Sequence, residues 1–174
     1  MLSFITSLKT IGDYSPIILF FSSVFLLYGK NILLGYYIFG YFITIISNVF
    51  LKYIIKQPRP NEDPVAFNVL VNNDKHISFN KYGMPSGHSQ AAMFSLFFIY
   101  FALKSHKYLW QIMLFYIIIT FNTILQRVKN NQHSIIQVSI GAIIGAFIGY
   151  CMFIMASSKL YGILKYKADD YALM

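Results

Sequence analysis

The sequence predicts an all-α polytopic membrane protein, a helix bundle with about five transmembrane helices and a short interfacial N-terminal helix. Of its 174 residues, 57% are hydrophobic and only 11% are charged. Soluble domains carry about a quarter charged residues. Long apolar runs recur between short polar segments, and in lipid such runs must be helical to satisfy their own backbone groups. At this length we expect one domain, residues 1–174.

Four apolar spans are clear in the sequence and one is marginal. The clear spans cover Ile32 to Ile55, Pro85 to Leu103, Tyr108 to Leu125 and Ser134 to Ala156. The marginal span, Pro16 to Tyr28, falls short of the roughly 20 residues that a bilayer requires. Extending it upstream through Ile11 would place Asp13 in the span. A signal peptide is disfavoured because no small-residue cleavage site follows.

The two ends of the chain differ from this core, which covers about residues 30–156. We expect Leu2 to Ile11 to form the interfacial helix. Residues 157–174 form a mixed polar tail, for which disorder is an open alternative.

Prolines and glycines mark two further features. The longest polar stretch, Lys56 to Met84, contains three prolines that exclude a continuing helix. In the last span, glycines recur every fourth residue and should let a neighbouring helix approach closely. These are Gly141, Gly145 and Gly149.

The net charge of the chain is +8. Three explanations stay open: the positive-inside bias, attraction to anionic lipid head groups, and a basic pocket for a phosphorylated substrate. Nucleic-acid binding is disfavoured because the cations lie between apolar spans. The single cysteine, Cys151, permits no intrachain disulfide. We expect no metal and no cofactor, since the sequence has no HExxH motif and no cysteine pair.

Polar residues that could bind an anion or take part in catalysis form three clusters at the ends of the spans. The first contains Lys52 and Arg59, the latter followed by Pro60. The second opens the third span with Ser86, Gly87 and His88, where a helix N-terminus offers free N–H groups to an anion.

The third cluster joins the fourth and fifth spans. Arg127 ends one span, His133 precedes the next, and Gln137 follows four residues later on the same helix face. Because spans three and four are two crossings, all three clusters should emerge on the same side of the membrane. The sequence therefore predicts one anion-sized site that gathers three cations and two histidines.

In order and spacing, Lys52-x6-Arg59-Pro60, Pro85-Ser86-Gly87-His88 and Arg127-x5-His133 resemble the signature of the type 2 phosphatidic acid phosphatase superfamily. The resemblance covers roughly residues 30 to 155. Two positions depart from the family pattern: Gln126 replaces a serine and Gln137 replaces an aspartate. Gln137 and the block from Lys81 to Gln90 resemble the dolichyldiphosphatase branch, which suggests a polyprenyl diphosphate substrate.

The resemblance implies a metal-independent lipid phosphatase that acts through a phosphohistidine. His133 would attack phosphorus, and His88 would protonate the leaving oxygen and then activate water. The phosphate would be held by Lys52, Arg59, Ser86, the Gly87 backbone and Arg127. Gln137 would accept the His133 N–H as the usual aspartate does, but without its charge.

Two alternatives remain open at this stage. Phosphatidate or another phospholipid-type phosphate is the alternative substrate, and an inactive lipid-phosphate-binding protein is the alternative class, motivated by Gln126 and Gln137. Lysines and arginines outside the clusters divide almost evenly between the two sides, so they choose no orientation. The resemblance favours a lumenal or external site, and for a eukaryotic or viral source we expect an endoplasmic-reticulum-type membrane.

Overall fold

The computed structural model describes residues 2–73 and 81–172, with side chains described within 10–73 and 81–164. The described chain is all-helical, as predicted. Its helices are α1 (Leu2–Leu26), α2 (Asn31–Ile55), α3 (Pro64–Asn72), α4 (Gly87–Ala102), α5 (Leu109–Lys129) and α6 (Ile135–Ala172).

Within the described residues, three helices are long and apolar enough to cross a bilayer, which is compatible with an integral membrane protein. They are Asn31–Ile55, Leu109–Lys129 and Ile135–Leu164. Large apolar side chains on their outer faces are exposed, among them Phe42, Ile46, Phe121, Ile143 and Phe147. Rows of this kind indicate lipid rather than water as the surrounding medium. The apolar part of α1, Thr10–Leu26, is shorter, and five crossings remain a prediction.

Helix α4 lies at the centre of the bundle and packs against α1, α2, α5 and α6. It begins at Gly87 and not at Pro85, because Ser86 still has extended backbone angles, φ −69° and ψ 114°. Phe94 and Phe98 on this helix are fully buried. At about 1.5 Å per residue, its 16 residues extend roughly 24 Å.

The glycine face of α6 packs directly on α4, as the spacing predicts. A Cβ atom at Gly145 would lie 2.0 Å from the carbonyl oxygen of Gln90. At Gly141 the corresponding distance to the Ser86 carbonyl oxygen is 2.5 Å. Because these glycines have no side chains, the start of α4 can pack directly against α6. This contact places the second cluster beside the third.

Both predictions for the chain ends require correction. The interfacial helix and the first span form one helix, Leu2–Leu26, which passes through Pro16. A proline leaves one carbonyl of the preceding turn without its backbone donor, but the Ser15 hydroxyl donates to the Gly12 carbonyl at 2.9 Å. At the other end, α6 continues to Ala172, so the described part of the tail is helical and not disordered.

The polar stretch after α2 contains a short helix that the sequence analysis did not predict. Asp63 caps α3, and its carboxylate accepts from the N–H groups of Val65 and Ala66 at 2.8 and 3.4 Å. Pro64 is its first residue, where a missing N–H costs nothing. Phe67 packs edge-on against Tyr82, with ring centres 5.7 Å apart, which holds α3 beside the second cluster.

Candidate functional site

The first and second clusters meet through a short antiparallel contact after α2. Lys56 ends that helix with a left-handed backbone, φ 48°. Pro58 then forms an isolated bridge with Tyr82, and the Gly83 N–H donates to the Gln57 carbonyl at 2.7 Å. The chain leaving α2 is thereby paired with the chain that approaches α4.

The third cluster is held by the compact turn between α5 and α6. The N–H groups of Gln132 and His133 both donate to the Arg127 carbonyl at 3.1 Å. Asn131 adopts φ 53°, a left-handed conformation that asparagine tolerates well. The Ser86 N–H donates to the Gln137 carbonyl at 3.0 Å and connects this turn to the start of α4.

His133 is 3% exposed, and its orientation is set through Nδ1. That nitrogen lies 2.8 Å from the Gly83 carbonyl oxygen and 3.3 Å from Oε1 of Gln137. Both partners are acceptors, so Nδ1 carries the proton and Nε2 keeps its lone pair. The closer acceptor is a main-chain carbonyl, which the sequence analysis did not identify.

The orientation of the Gln137 side-chain amide is fixed by hydrogen bonds at both its nitrogen and its oxygen. Its Nε2 donates to Oε1 of Gln57 at 3.0 Å and to the Pro58 carbonyl at 2.9 Å. Its Oε1 accepts from the Ser134 N–H at 3.2 Å, while its own N–H donates to the Ser134 hydroxyl at 3.3 Å. This reciprocal pair is a capping box at the start of α6. The Gln137 amide oxygen therefore faces His133 even though this residue is not a carboxylate.

The electrostatic surroundings keep His133 neutral. Burial is the main cause that lowers the pKa of His133 to about 3, and the charges of Arg59 and Lys52 act in the same direction. Hydrogen bonds with Gln137 and Gly83 oppose this shift. Burial also lowers the pKa of Arg59. At neutral pH the free Nε2 lone pair of His133 is thus available to an electrophile.

His88 belongs to the same site. Its Nε2 lies 3.1 Å from the carbonyl oxygen of Asp13 on α1, an acceptor that places a proton on this nitrogen. The positive charges of Arg127 and Lys52 act on His88, and Lys52 also acts on His133. Lys52 is therefore within electrostatic range of both imidazoles. The structure brings the three clusters together at one end of the bundle.

Arg127 is 5% exposed and is held at both terminal nitrogens. Nη2 donates to Oδ1 of Asp13 at 2.9 Å and to the Gly12 carbonyl at 3.4 Å, and Nη1 donates to Gln132. Its Nε is buried with no hydrogen-bond partner in the described part of the chain, and so is Nε of Arg59. A buried donor without an acceptor is costly, so both groups are suited to an anionic ligand.

Ser86 and Gly87 lie at the start of α4, beside the turn that carries His133. Ser86 occupies the N-cap position of α4, but its side chain makes no capping bond. It accepts from the Ser89 hydroxyl at 3.2 Å, which leaves its own proton for another acceptor. A Cβ at Gly87 would lie 3.0 Å from Oδ1 of Asn48. Asn48 in turn donates to the Pro85 carbonyl at 3.1 Å.

Several contributors to the site were missed from the sequence. Two of them had a visible signal in the sequence. Asp13 is an acidic residue next to an apolar span, which suggests a paired functional site. Ser134-x-x-Gln137 has the pattern of a capping box. The roles of Gln57 and Gly83 had no local signal. Among the described residues, no group of three or more His, Cys, Asp or Glu side chains could hold a metal ion.

Comparison with known proteins gives one match. A family model described as the PAP2 superfamily matches residues 33–160. No curated protein and no solved structure matches the chain. The matched segment contains all three clusters but not the part of α1 that carries Asp13.

Proposed function

Because the chain belongs to the PAP2 superfamily, whose members are phosphatases and other hydrolases, we propose that it is a membrane lipid phosphatase. The substrate is a lipid-linked phosphate or diphosphate, and the reaction passes through a phosphohistidine. One observation carries the proposal: two buried arginine Nε donors, for which the described residues offer no acceptor, lie in the same site as a neutral histidine. A phosphoryl group supplies both the missing acceptors and the electrophile.

In this mechanism, Nε2 of His133 attacks phosphorus as the bond to the leaving oxygen breaks. His88, as the imidazolium, gives its Nδ1 proton to that oxygen while Nε2 keeps its bond to the Asp13 carbonyl, and Nδ1 later takes a proton from the water that hydrolyses the phosphohistidine. Inorganic phosphate is released and both histidines return to their starting states. The Gly83 carbonyl accepts the Nδ1–H bond of His133 throughout, so the imidazolium formed on attack keeps a partner.

The remaining side chains act on the phosphate oxygens. Lys52, Arg59 and Arg127 supply positive charge, while the Ser86 hydroxyl and the Gly87 N–H supply neutral donors. Their effect on rate comes from charge and donors that are positioned before the reaction begins. Lys52 lies on α2, Arg59 on the segment that follows α2, and Arg127 on α5, so positive charge enters the site from three parts of the chain.

A polyprenyl diphosphate is the substrate we favour, with phosphatidate or another phospholipid-type phosphate as the alternative. The preference rests on the likeness to the dolichyldiphosphatase branch in Gln137 and in the block that includes Lys81 and His88. An inactive phosphate-binding protein is less well supported, because the tautomer of His133 is fixed here without a carboxylate. An endoplasmic-reticulum-type membrane with a lumenal site remains part of this proposal.

The test is phosphate release by the purified protein from a panel of polyprenyl diphosphates, phosphatidate and lysophosphatidate. His133→Ala should lower turnover by about a thousandfold or more and abolish an acid-labile phosphoenzyme. His106→Ala is the matched control, because His106 is exposed beyond α4 and bonds only locally to the Tyr108 N–H. Wild-type turnover in His133→Ala, or no turnover of any panel member, would refute the proposal.

A further inference from the structure

Helix α1 carries an acidic residue into the site from outside the matched family segment. Asp13 accepts from Nη2 of Arg127 at 2.9 Å and from Nε2 of Gln126 at 3.2 Å. Its backbone carbonyl contacts Nε2 of His88 at 3.1 Å. One residue of α1 thus bonds both to an arginine and to a histidine of the proposed catalytic apparatus.

A proline in α1 explains why the Gly12 carbonyl is available to Arg127. Pro16 has no N–H, so the carbonyl four residues earlier, that of Gly12, lacks its helical donor. The Ser15 hydroxyl and Nη2 of Arg127 donate to this carbonyl at 2.9 and 3.4 Å. The proline therefore frees a carbonyl for Arg127 without ending the helix.

Gly12 and Gln126 fit together at the same contact. A Cβ at Gly12 would lie 2.0 Å from Oε1 of Gln126, so a side chain there would displace the amide end of Gln126. Gln126 stands where the family pattern has serine, and its longer side chain reaches the carboxylate of Asp13. The contact with Asp13 on α1 thus gives a structural reason for glutamine in place of serine at position 126.

We propose that Asp13 is a positioning residue that orients Arg127 toward the transferred phosphate. Asp13 and Gln132 hold the two terminal nitrogens of the guanidinium, and the nitrogen with no hydrogen-bond partner among the described residues is the buried Nε. Rotation of the guanidinium would exchange that donor for one already bonded. This inference rests on the proposed phosphatase function and extends the site to α1.

The main experiment compares Asp13→Ala and Asp13→Asn with wild type in detergent solution. Loss of a charge-assisted hydrogen bond should lower kcat about ten- to hundredfold in Asp13→Ala, with KM changed less than about threefold. Asparagine keeps an acceptor oxygen and should recover at least about tenfold of the loss. Asp63→Asn is the control: it removes a carboxylate near the site but retains an N-cap residue, and it should leave kcat unchanged.

A second pair of variants tests the approach of α1 independently of charge. Gly12→Ala should lower kcat because the new methyl group displaces Gln126. Shortening the obstructing side chain in the double variant Gly12→Ala with Gln126→Ala should restore part of that loss. Additive losses in the double variant would contradict the proposed contact.

The outcomes separate this inference from the proposed function. If His133→Ala is inactive but folded Asp13→Ala and Asp13→Asn turn over like wild type, the positioning role is wrong and the function stands. If both variants only lower the melting temperature, Asp13 is purely structural and the inference fails. If wild type hydrolyses nothing, stabilisation by inorganic phosphate becomes the measure, and an equal shift in Asp13→Ala overturns the inference.

Discussion

Replacement of Gln137 by methionine tests how the tautomer of His133 is fixed. Methionine has a similar length but offers neither the amide donors nor the carbonyl oxygen. Of the two contacts at Nδ1 of His133, the substitution keeps the one to the Gly83 carbonyl at 2.8 Å and removes the one at 3.3 Å. Since the shorter contact alone keeps the proton on Nδ1, the nucleophilic nitrogen should remain Nε2.

The expected magnitude differs from that of an enzyme whose carboxylate orients the histidine. There, loss of the correct tautomer costs about 10⁴ in kcat. Here we expect a decrease of about tenfold or less, corresponding to one long neutral hydrogen bond. Stability should fall by about 1–3 kcal/mol, because the Pro58 carbonyl and the Ser134 N–H lose their partners.

The assay is single-turnover phosphate release, at a temperature well below the melting point of the variant. Fluorescence-monitored thermal unfolding gives the stability change separately. His133→Ala provides the lower limit of activity. If Gln137→Met is folded and nevertheless as slow as His133→Ala, the Gly83 carbonyl does not fix the tautomer, and the carboxamide carries the function that we assign to the main chain.

Three further predictions follow from the site and its packing. The pKa of His133 is about 3 in the folded protein and near 6.5 in the unfolded chain. Its contribution to stability is therefore fully present above about pH 6.5 and is lost as pH falls toward 3. NMR titration of ¹⁵N-histidine-labelled protein, with His133→Asn to identify the resonance, should show no protonation of His133 near pH 6.5. His88→Ala should impair alkyl phosphates at least about tenfold more than p-nitrophenyl phosphate, whose leaving group needs no proton; equal losses would exclude His88 as the general acid. Gly145→Ala should destabilise the protein by about 1–3 kcal/mol or more, measured by thermal unfolding, because its Cβ would meet the Gln90 carbonyl. Gly162→Ala is the control, because a Cβ there would meet no described atom within 4 Å outside its own helix backbone.

The sequence by itself determined the class of fold and, closely, the bounds of α2 and α4. Apolar length identified α2, α5 and the membrane part of α6, because spanning segments must be long, apolar and helical. The prolines after Ile55 and the glycine spacing in α6 acted through local backbone geometry, which needs no knowledge of the rest of the chain. The order of the three polar clusters, counted across two crossings, predicted that they would meet.

Only the tertiary structure decided which atoms meet within the site. Asp13 and Arg127 are 114 residues apart, and Gly83 and His133 are 50 apart. Their contact depends on how far each helix is rotated and displaced along its axis. A hydropathy pattern leaves both quantities open, because a shift of about 1.5 Å, one residue along a helix, turns a different side chain toward the neighbour.

The same reason explains the error at the N-terminus. Taken locally, Asp13 and Pro16 indicate a boundary, since a charge and a missing N–H are both unfavourable inside a span. In the folded chain, Arg127 pairs with that charge and donates to the freed Gly12 carbonyl. Because both compensations come from another helix, α1 continues as one helix, and only the assembled bundle shows why.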